Sequence, residues 1–353
     1  MGPWIDYHLP ADLIAQEPLP NRVDARLMVL DRGAQTIEHA HVRDLPGLLQ
    51  RGDQMVLNDT RVIPAQLHGR RLETGGRWQG LFLRAAPDGT WIVVCKTRGT
   101  LHPPEAIQLV DREGRDAVKL WLLEKLPDGQ WLAKPEQEVD SLELLARIGR
   151  VPLPPYIRGG RMVDADVERY QTVFARHSGA VAAPTAGLHL TKPLLESIAG
   201  RGIGVSAITL HVGLGTFRPI SVEDPANHPI HAEWAEVTSP AVAEIQAAKT
   251  RGGRVIAVGT TVARTLESVA ADEAASGSSS LLRPWSGETS LFIQPPYQFR
   301  VLDGLLTNFH FPRTTLLLLV QAFAGSELLR QAYQTAVEER YRFYSYGDAM
   351  LIV

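Results

Sequence analysis

The sequence runs to 353 residues with 44% hydrophobic and 21% charged side chains, a mix that supports about two packed domains and excludes extensive disorder. Its formal net charge of −3 excludes a general polycation, so any grip on nucleic acid has to be local. A single cysteine, Cys95, and a longest aliphatic run of only Leu316–Val320 exclude an internal disulfide, a multi-thiolate metal site and a membrane-spanning helix, and predict a cytoplasmic protein.

The opening segment, YHLPADLIAQEPL through VLNDTRVIPAQL, is too short for an α/β domain of its own and is expected to join the α/β units that come later. Within it, Asn58, Asp59, Thr60 and Arg61 follow a short apolar strand directly. Such a polar row makes either an ordinary turn or an orienting carboxylate beside a phosphate-directed guanidinium. From Ala65 to Val151 apolar and polar residues alternate, as in RWQGLFLR, TWIVVCK, AVKLWLLE and QWLAK, with PDG turns at Pro87 and Pro127. This period of two, rich in Trp and β-branched residues, predicts short antiparallel strands folded into a small β-barrel or sandwich. The expected organisation is discontinuous: residues 1–64 and 152–353 form a main α/β domain, and residues 65–151 an inserted all-β domain.

Beyond VPLPPYIRGG the pattern becomes strands followed by helices. TKPLLESIAGRG reads as a helix capped by Thr191, with Pro193 in its first turn and Gly200 as its stop, and the strand IGVSAITLHVG follows. RVIAV reads as a buried strand, GTT as its turn, and VARTLESV as a helix with Val262, Leu266 and Val269 on one face. The small, polar stretch ADEAASGSSS, residues 271–280, reads as an exposed flexible loop.

Three segments combine a strand end, small polar residues and a helix start: APTAGLHLT, VGTTVAR and LLTNFHFPRTTLLLL. Open α/β sheets bind ligands at such carboxyl ends of strands, where free N–H groups and the helix dipole favour anions and acceptors. His189, His211, His228, His231 and His310 lie in or beside these turns, and imidazoles suit proton transfer near neutral pH. His228 and His231 with Glu233 make a poor zinc signature, so no metal is expected. Phe217, Trp234, Tyr297 and Phe309 are candidates for stacking on a base or a cation, with hydrophobic packing as the rival role. Charge is uneven along the insert: seven Lys or Arg face two carboxylates from Thr60 to Thr100, and ten carboxylates face five bases from Glu105 to Glu143. One basic face turned to a phosphate backbone would account for this asymmetry, as would an ordinary mixed surface.

DYHLPADLIAQEP, LNDTRVIPAQL, VPLPPYI, YQTVFA, VAAPTAGLHLT, ITLHVGLGTF, IHAEWAEV, VGTTVARTLES, LLTNFHFP and YRFYSYGDAMLI together resemble the S-adenosylmethionine:tRNA ribosyltransferase-isomerases of queuosine biosynthesis across nearly the whole chain. Gly-Ala stands before Val181 where the family has Gly-Ser, Leu190 where it has Phe, and Pro296 where it has Gly.

The resemblance implies an imperfect barrel-like α/β main domain flanked by helices, with an inserted small antiparallel β-barrel. It implies a reaction in which the ribosyl part of S-adenosylmethionine moves to 7-aminomethyl-7-deazaguanine at the tRNA wobble position. Adenine and methionine leave and epoxyqueuosine forms. S-adenosylmethionine is consumed as a substrate, so no resident cofactor is expected, and the protein is expected to be a monomer.

The sulfonium acidifies the adjacent 5′ carbon, and His189 and His211 are the candidate bases. His310, or the hydroxyl of Thr260 or Thr261, would quench the departing adenine, and Glu233 or Asp59 would balance the sulfonium. Arg61, Thr185, Gly187, Gly213, Thr216, Gly259, Thr260, Thr261 and Asn308 are the expected substrate contacts. Arg26, Arg70, Arg71, Lys96, Arg98 and Arg158 are the expected phosphate contacts, with the wobble base splayed out of its loop. Two rivals remain. A phosphotransferase would need a phosphate-loop lysine, which VGTTVAR lacks, and a noncatalytic anticodon-arm binder would bind tRNA without turnover.

Overall fold

Four short apolar runs, Gln54–Asn58, Gly204–Leu210, Val255–Val258 and Gly304–Asn308, lie parallel at the centre of a nine-stranded mixed sheet. The computed structural model describes residues 5–213 and 232–353. Three of these runs are buried at every position, which is why they read as continuous hydrophobic stretches rather than as alternations. Glu233–Val237 and then Trp285–Thr289 extend the sheet antiparallel on one side. On the other side, Ala349–Ile352 runs antiparallel to Gly304–Asn308, Arg26–Asp31 pairs parallel to it, and Thr36–His41 closes that edge. The expected barrel-like main domain thus takes the form of a long strand run with two ends, flanked by helices.

The chain divides into two compact units. One comprises Met1–Arg61, Gln171–His177 and Ala183–Val353; the other comprises Val62–Tyr170 and Ser178–Ala182.

In the second unit six antiparallel strands close into a barrel, in the order Trp131–Pro135, Trp91–Thr97, Arg77–Ala85, Gln66–Arg71, Glu105–Val110 and Asp116–Lys125. The alternation turns Trp78, Phe82, Trp91 and Val93 inward against Ile107, Leu120 and Leu122. The two PDG turns share one solution. Gly89 and Gly129 take φ of +79° and +82°, and the carboxylates of Asp88 and Asp128 accept the amides of Thr90 and Gln130. Helix Ser141–Ile148, capped by Asp140 through the amides of Leu142 and Glu143, adds Leu144, Leu145 and Ile148 to this core.

One local expectation holds and one is corrected. The helix capped by Thr191 runs from Lys192 through Gly200, and the left-handed residue beyond it is Gly202, at φ +77°. The helix begun at Thr260 continues to Ala275, so half of the stretch expected to be a loop is helical. Its composition is offset by Glu273, which is buried and paired with Arg283 at 2.6 Å.

Candidate active site

The register of the four parallel strands sets their polar ends level. Asn58 lies opposite Ile208, Ala257 opposite Val56, and Leu306 opposite Val258. One edge of the sheet therefore presents Asn58–Thr60, Leu210–His211, Gly259–Thr261 and Thr307–Asn308 together, at the carboxyl ends where such sheets bind ligands. Asn58 ties three of these ends. Its Nδ2 donates to the Leu210 carbonyl at 3.0 Å and to the Thr261 hydroxyl at 3.4 Å, while its Oδ1 accepts the amides of Leu210 and Thr60 at 3.0 and 3.1 Å.

His211 is half-buried with its Nδ1 2.8 Å from the Thr60 hydroxyl, and its ring stacks on Trp234 at 5.1 Å between centroids and 20° between planes. Desolvation, followed by the nearby His177, depresses its pKa below the ordinary histidine value, and Asp59 opposes that shift. The buried Asp59 accepts the Thr209 hydroxyl at 2.7 Å and faces the His177 ring at 3.6 Å. Arg61 points its guanidinium to the Ala175 carbonyl at 2.5 Å.

A second set centres on Asn308, whose Oδ1 accepts the Thr185 hydroxyl at 2.8 Å and whose Nδ2 lies 3.3 Å from His189 Nε2. His189 is buried, and desolvation holds its pKa down to about 4, so it is neutral at physiological pH. His310 is equally enclosed. Its Nε2 meets the Thr307 hydroxyl at 2.8 Å, its amide donates to the Tyr333 hydroxyl, its carbonyl accepts from Tyr7, and burial lowers its pKa to about 4. The glycines serve the backbone. Gly259 takes φ +96° at the helix start, and a Cβ on Gly187 would lie 2.8 Å from the Phe174 ring.

Glu233 accepts the Gly213 amide at 2.8 Å and pairs with Arg264, a residue the sequence reading missed. Burial lowers the Arg264 pKa to about 10. Arg264 lines a hollow together with Thr260, Thr261, Leu291, Ile293 and Leu316. The signal was present in VARTLES, where an arginine follows the Thr pair by one helical turn. His177 and the hub role of Asn58 were also missed, because both depend on pairing between distant strands. Thr216, Phe217, His228 and His231 lie outside the described residues.

The candidate phosphate contacts sort by exposure. Lys96 and Arg98 are exposed on the barrel, and Arg70 is exposed but doubly bonded to Asp116 at 2.5 and 2.6 Å. Arg71 is buried, pairs with Glu105 and donates to the Arg98 and Thr100 carbonyls. Arg158 pairs with the buried Asp166, and Arg26 lies 3.7 Å over the Tyr341 ring while donating to the Glu339 carbonyl. The internal bonds of Arg71 commit its donors to the barrel itself.

A mixed α/β unit with polar strand ends gathered on one edge, joined in one chain to a closed β-barrel, defines the class as a two-unit α/β ligand-binding enzyme. The profile described as Queuosine biosynthesis protein matches residues 4–352, and the chain belongs to that family. It is similar to the S-adenosylmethionine:tRNA ribosyltransferase-isomerase of Cereibacter sphaeroides, 48% identical over 99% of this chain and 97% of that protein. The protein of the same name from Acidithiobacillus ferrooxidans is 50% identical over 98% and 96%. The crystal structure of an S-adenosylmethionine tRNA ribosyltransferase from Thermotoga maritima matches over 99% of both chains, at 34% identity and a TM-score of 0.55.

Proposed function

We propose that this chain moves the ribosyl part of S-adenosylmethionine onto 7-aminomethyl-7-deazaguanine at the wobble position of a tRNA and isomerises it, forming epoxyqueuosine with release of adenine and methionine. The observation that carries this reading is the family relationship spanning residues 4–352, with relatives near half identity that bear the activity in their names. The substrates are tRNA and S-adenosylmethionine, the latter consumed rather than retained. The enzyme works as a cytoplasmic monomer. Among the described residues, no helix is long and apolar enough to cross a membrane.

The positive sulfonium makes methionine a good leaving group and acidifies the hydrogens on the 5′ carbon, so a base opens the sequence. Of the three histidines at the strand ends, His211 is the one that is half-buried rather than enclosed, which suits it to meet substrate. A neutral imidazole near its working pH contributes about 10²–10⁴-fold to such a step. His189, held through Asn308 to Thr185, orients the substrate or takes a later proton. The Thr260 and Thr261 hydroxyls quench charge on departing adenine, and Asp59 faces the sulfonium.

The test is to incubate the full chain with S-adenosylmethionine and tRNA carrying the deazaguanine precursor and to quantify adenine and methionine by chromatography. Stoichiometric release with ribosylated tRNA is expected; tRNA binding without release would mark a noncatalytic anticodon-arm protein. His211→Ala should abolish release while sparing tRNA affinity.

A further inference from the structure

We infer that Thr60 is a positioning residue that fixes the tautomer of His211, leaving the Nε2 lone pair as the base. This rests on the proposed function, in which His211 takes the first proton. The Thr60 hydroxyl has one proton and two neighbours. The His177 carbonyl, 3.4 Å away, can only accept, whereas His211 Nδ1, 2.8 Å away, can donate or accept. Both contacts are satisfied in one arrangement alone. Thr60 donates to the carbonyl, and His211 donates Nδ1–H to the Thr60 oxygen. A neutral imidazole with a protonated Nδ1 has its lone pair on Nε2, and among the described residues Nε2 has no hydrogen-bond partner.

The arrangement serves both charge states of the ring. When Nε2 accepts the proton from the substrate carbon, Nδ1–H continues to donate to Thr60, so no bond has to be remade. The imidazolium formed lies against the Trp234 face, which attracts a cation. The charged and titratable groups that act on His211 are Asp59, which favours the imidazolium, and His177, which disfavours it when protonated. Thr60 itself is fully buried at the start of a short strand, and its backbone amide donates to the Asn58 side chain, which fixes the strand start that carries the hydroxyl.

The tautomer is read directly from the 15N shifts of the His211 ring in full-length protein labelled at histidine, above the pH at which the ring protonates. The wild type should show Nδ1–H. Thr60→Ser should keep that signature and most of the turnover. Thr60→Val keeps the shape without the hydroxyl. It should shift the ring toward the Nε2–H form and lower kcat roughly fivefold, the equilibrium change a lost hydrogen bond supplies, with KM for S-adenosylmethionine nearly unchanged. A wild-type ring in the Nε2–H form, or a Thr60→Val ring with an unaltered tautomer, overturns the inference whatever the turnover. Undiminished methionine release by His211→Ala instead overturns the base assignment beneath it, and the NMR result tells the two failures apart.

Discussion

The Asn58 side chain and the Leu210 backbone exchange two hydrogen bonds, Nδ2 to the carbonyl and the Leu210 amide to Oδ1, both at 3.0 Å. The amide side chain thus continues the ladder between two parallel strands past the point where their backbones part, and it does so immediately before His211. Asn58→Ala should strand a buried N–H and a buried C=O and cost about 2–4 kcal/mol. Asn58→Asp should cost a similar amount, because a carboxylate cannot donate to the carbonyl. Urea unfolding measures the loss. A midpoint unchanged in both variants would mean that the strand ends are held by something else.

Glu233 and Arg264 form a buried pair, and removing one partner takes the opposite charge away from the other. Arg264→Met should therefore destabilise the protein by about 3–5 kcal/mol, while the double variant Glu233→Gln, Arg264→Met should recover much of that loss. The cycle also separates two roles for Glu233. If its carboxylate faces the sulfonium as well as Arg264, Glu233→Gln should raise KM for S-adenosylmethionine more than the double variant's recovered stability would suggest. Equal stability losses in the single and double variants would remove the pairing from the account.

The barrel and the central strands were legible in the sequence because their causes are local. Alternation, PDG turns and an uninterrupted VIAV run each act within a few residues, and the same holds for the Thr191 cap. The helix stops at Gly200 as read, and the left-handed turn beyond it falls on Gly202. The helix through Ala275 was missed. Ala-rich sequence has good helix propensity, and the tertiary pair of Glu273 with Arg283 outweighs the loop-like composition beyond it. Asn58 with Thr261 and Glu233 with Arg264 depend on strand order, which no local pattern encodes. The histidines at the strand ends were visible as residues, but their division into one half-buried ring and two enclosed rings follows from packing.

The two enclosed rings make stability depend on pH with a definite sign. His189 and His310 titrate near 4 in the folded protein, whereas an unfolded chain gives histidine an ordinary value of about 6.5. Between these values the unfolded state binds more protons, so stability rises with pH, is complete above the unfolded value, and is lost as pH falls toward 4. From about pH 7 to pH 5 each ring should withdraw about 2 kcal/mol. Denaturant midpoints at the two pH values measure the slope, and His189→Asn or His310→Gln should each flatten it. A slope that neither substitution changes would assign the acid sensitivity to other groups.

The candidate phosphate contacts on the barrel yield the last prediction, because they divide between surface and interior. Lys96 and Arg98 are exposed. Removing either should weaken tRNA binding several-fold and reduce the slope of log affinity against log salt by about 0.7–0.9 per lost phosphate contact, without moving the melting temperature. Arg71 should behave in the opposite way. It is buried against Glu105, whose other oxygen accepts the His102 amide at 3.0 Å, so Arg71→Ala leaves an unpaired carboxylate inside the barrel and should cost about 3–5 kcal/mol of stability. Fluorescence anisotropy with unmodified and precursor-bearing tRNA, run as a salt titration beside a thermal melt, separates the two classes. If Lys96→Ala and Arg98→Ala bind with wild-type affinity and salt slope, the tRNA is held elsewhere, and these two side chains are ordinary solvated surface.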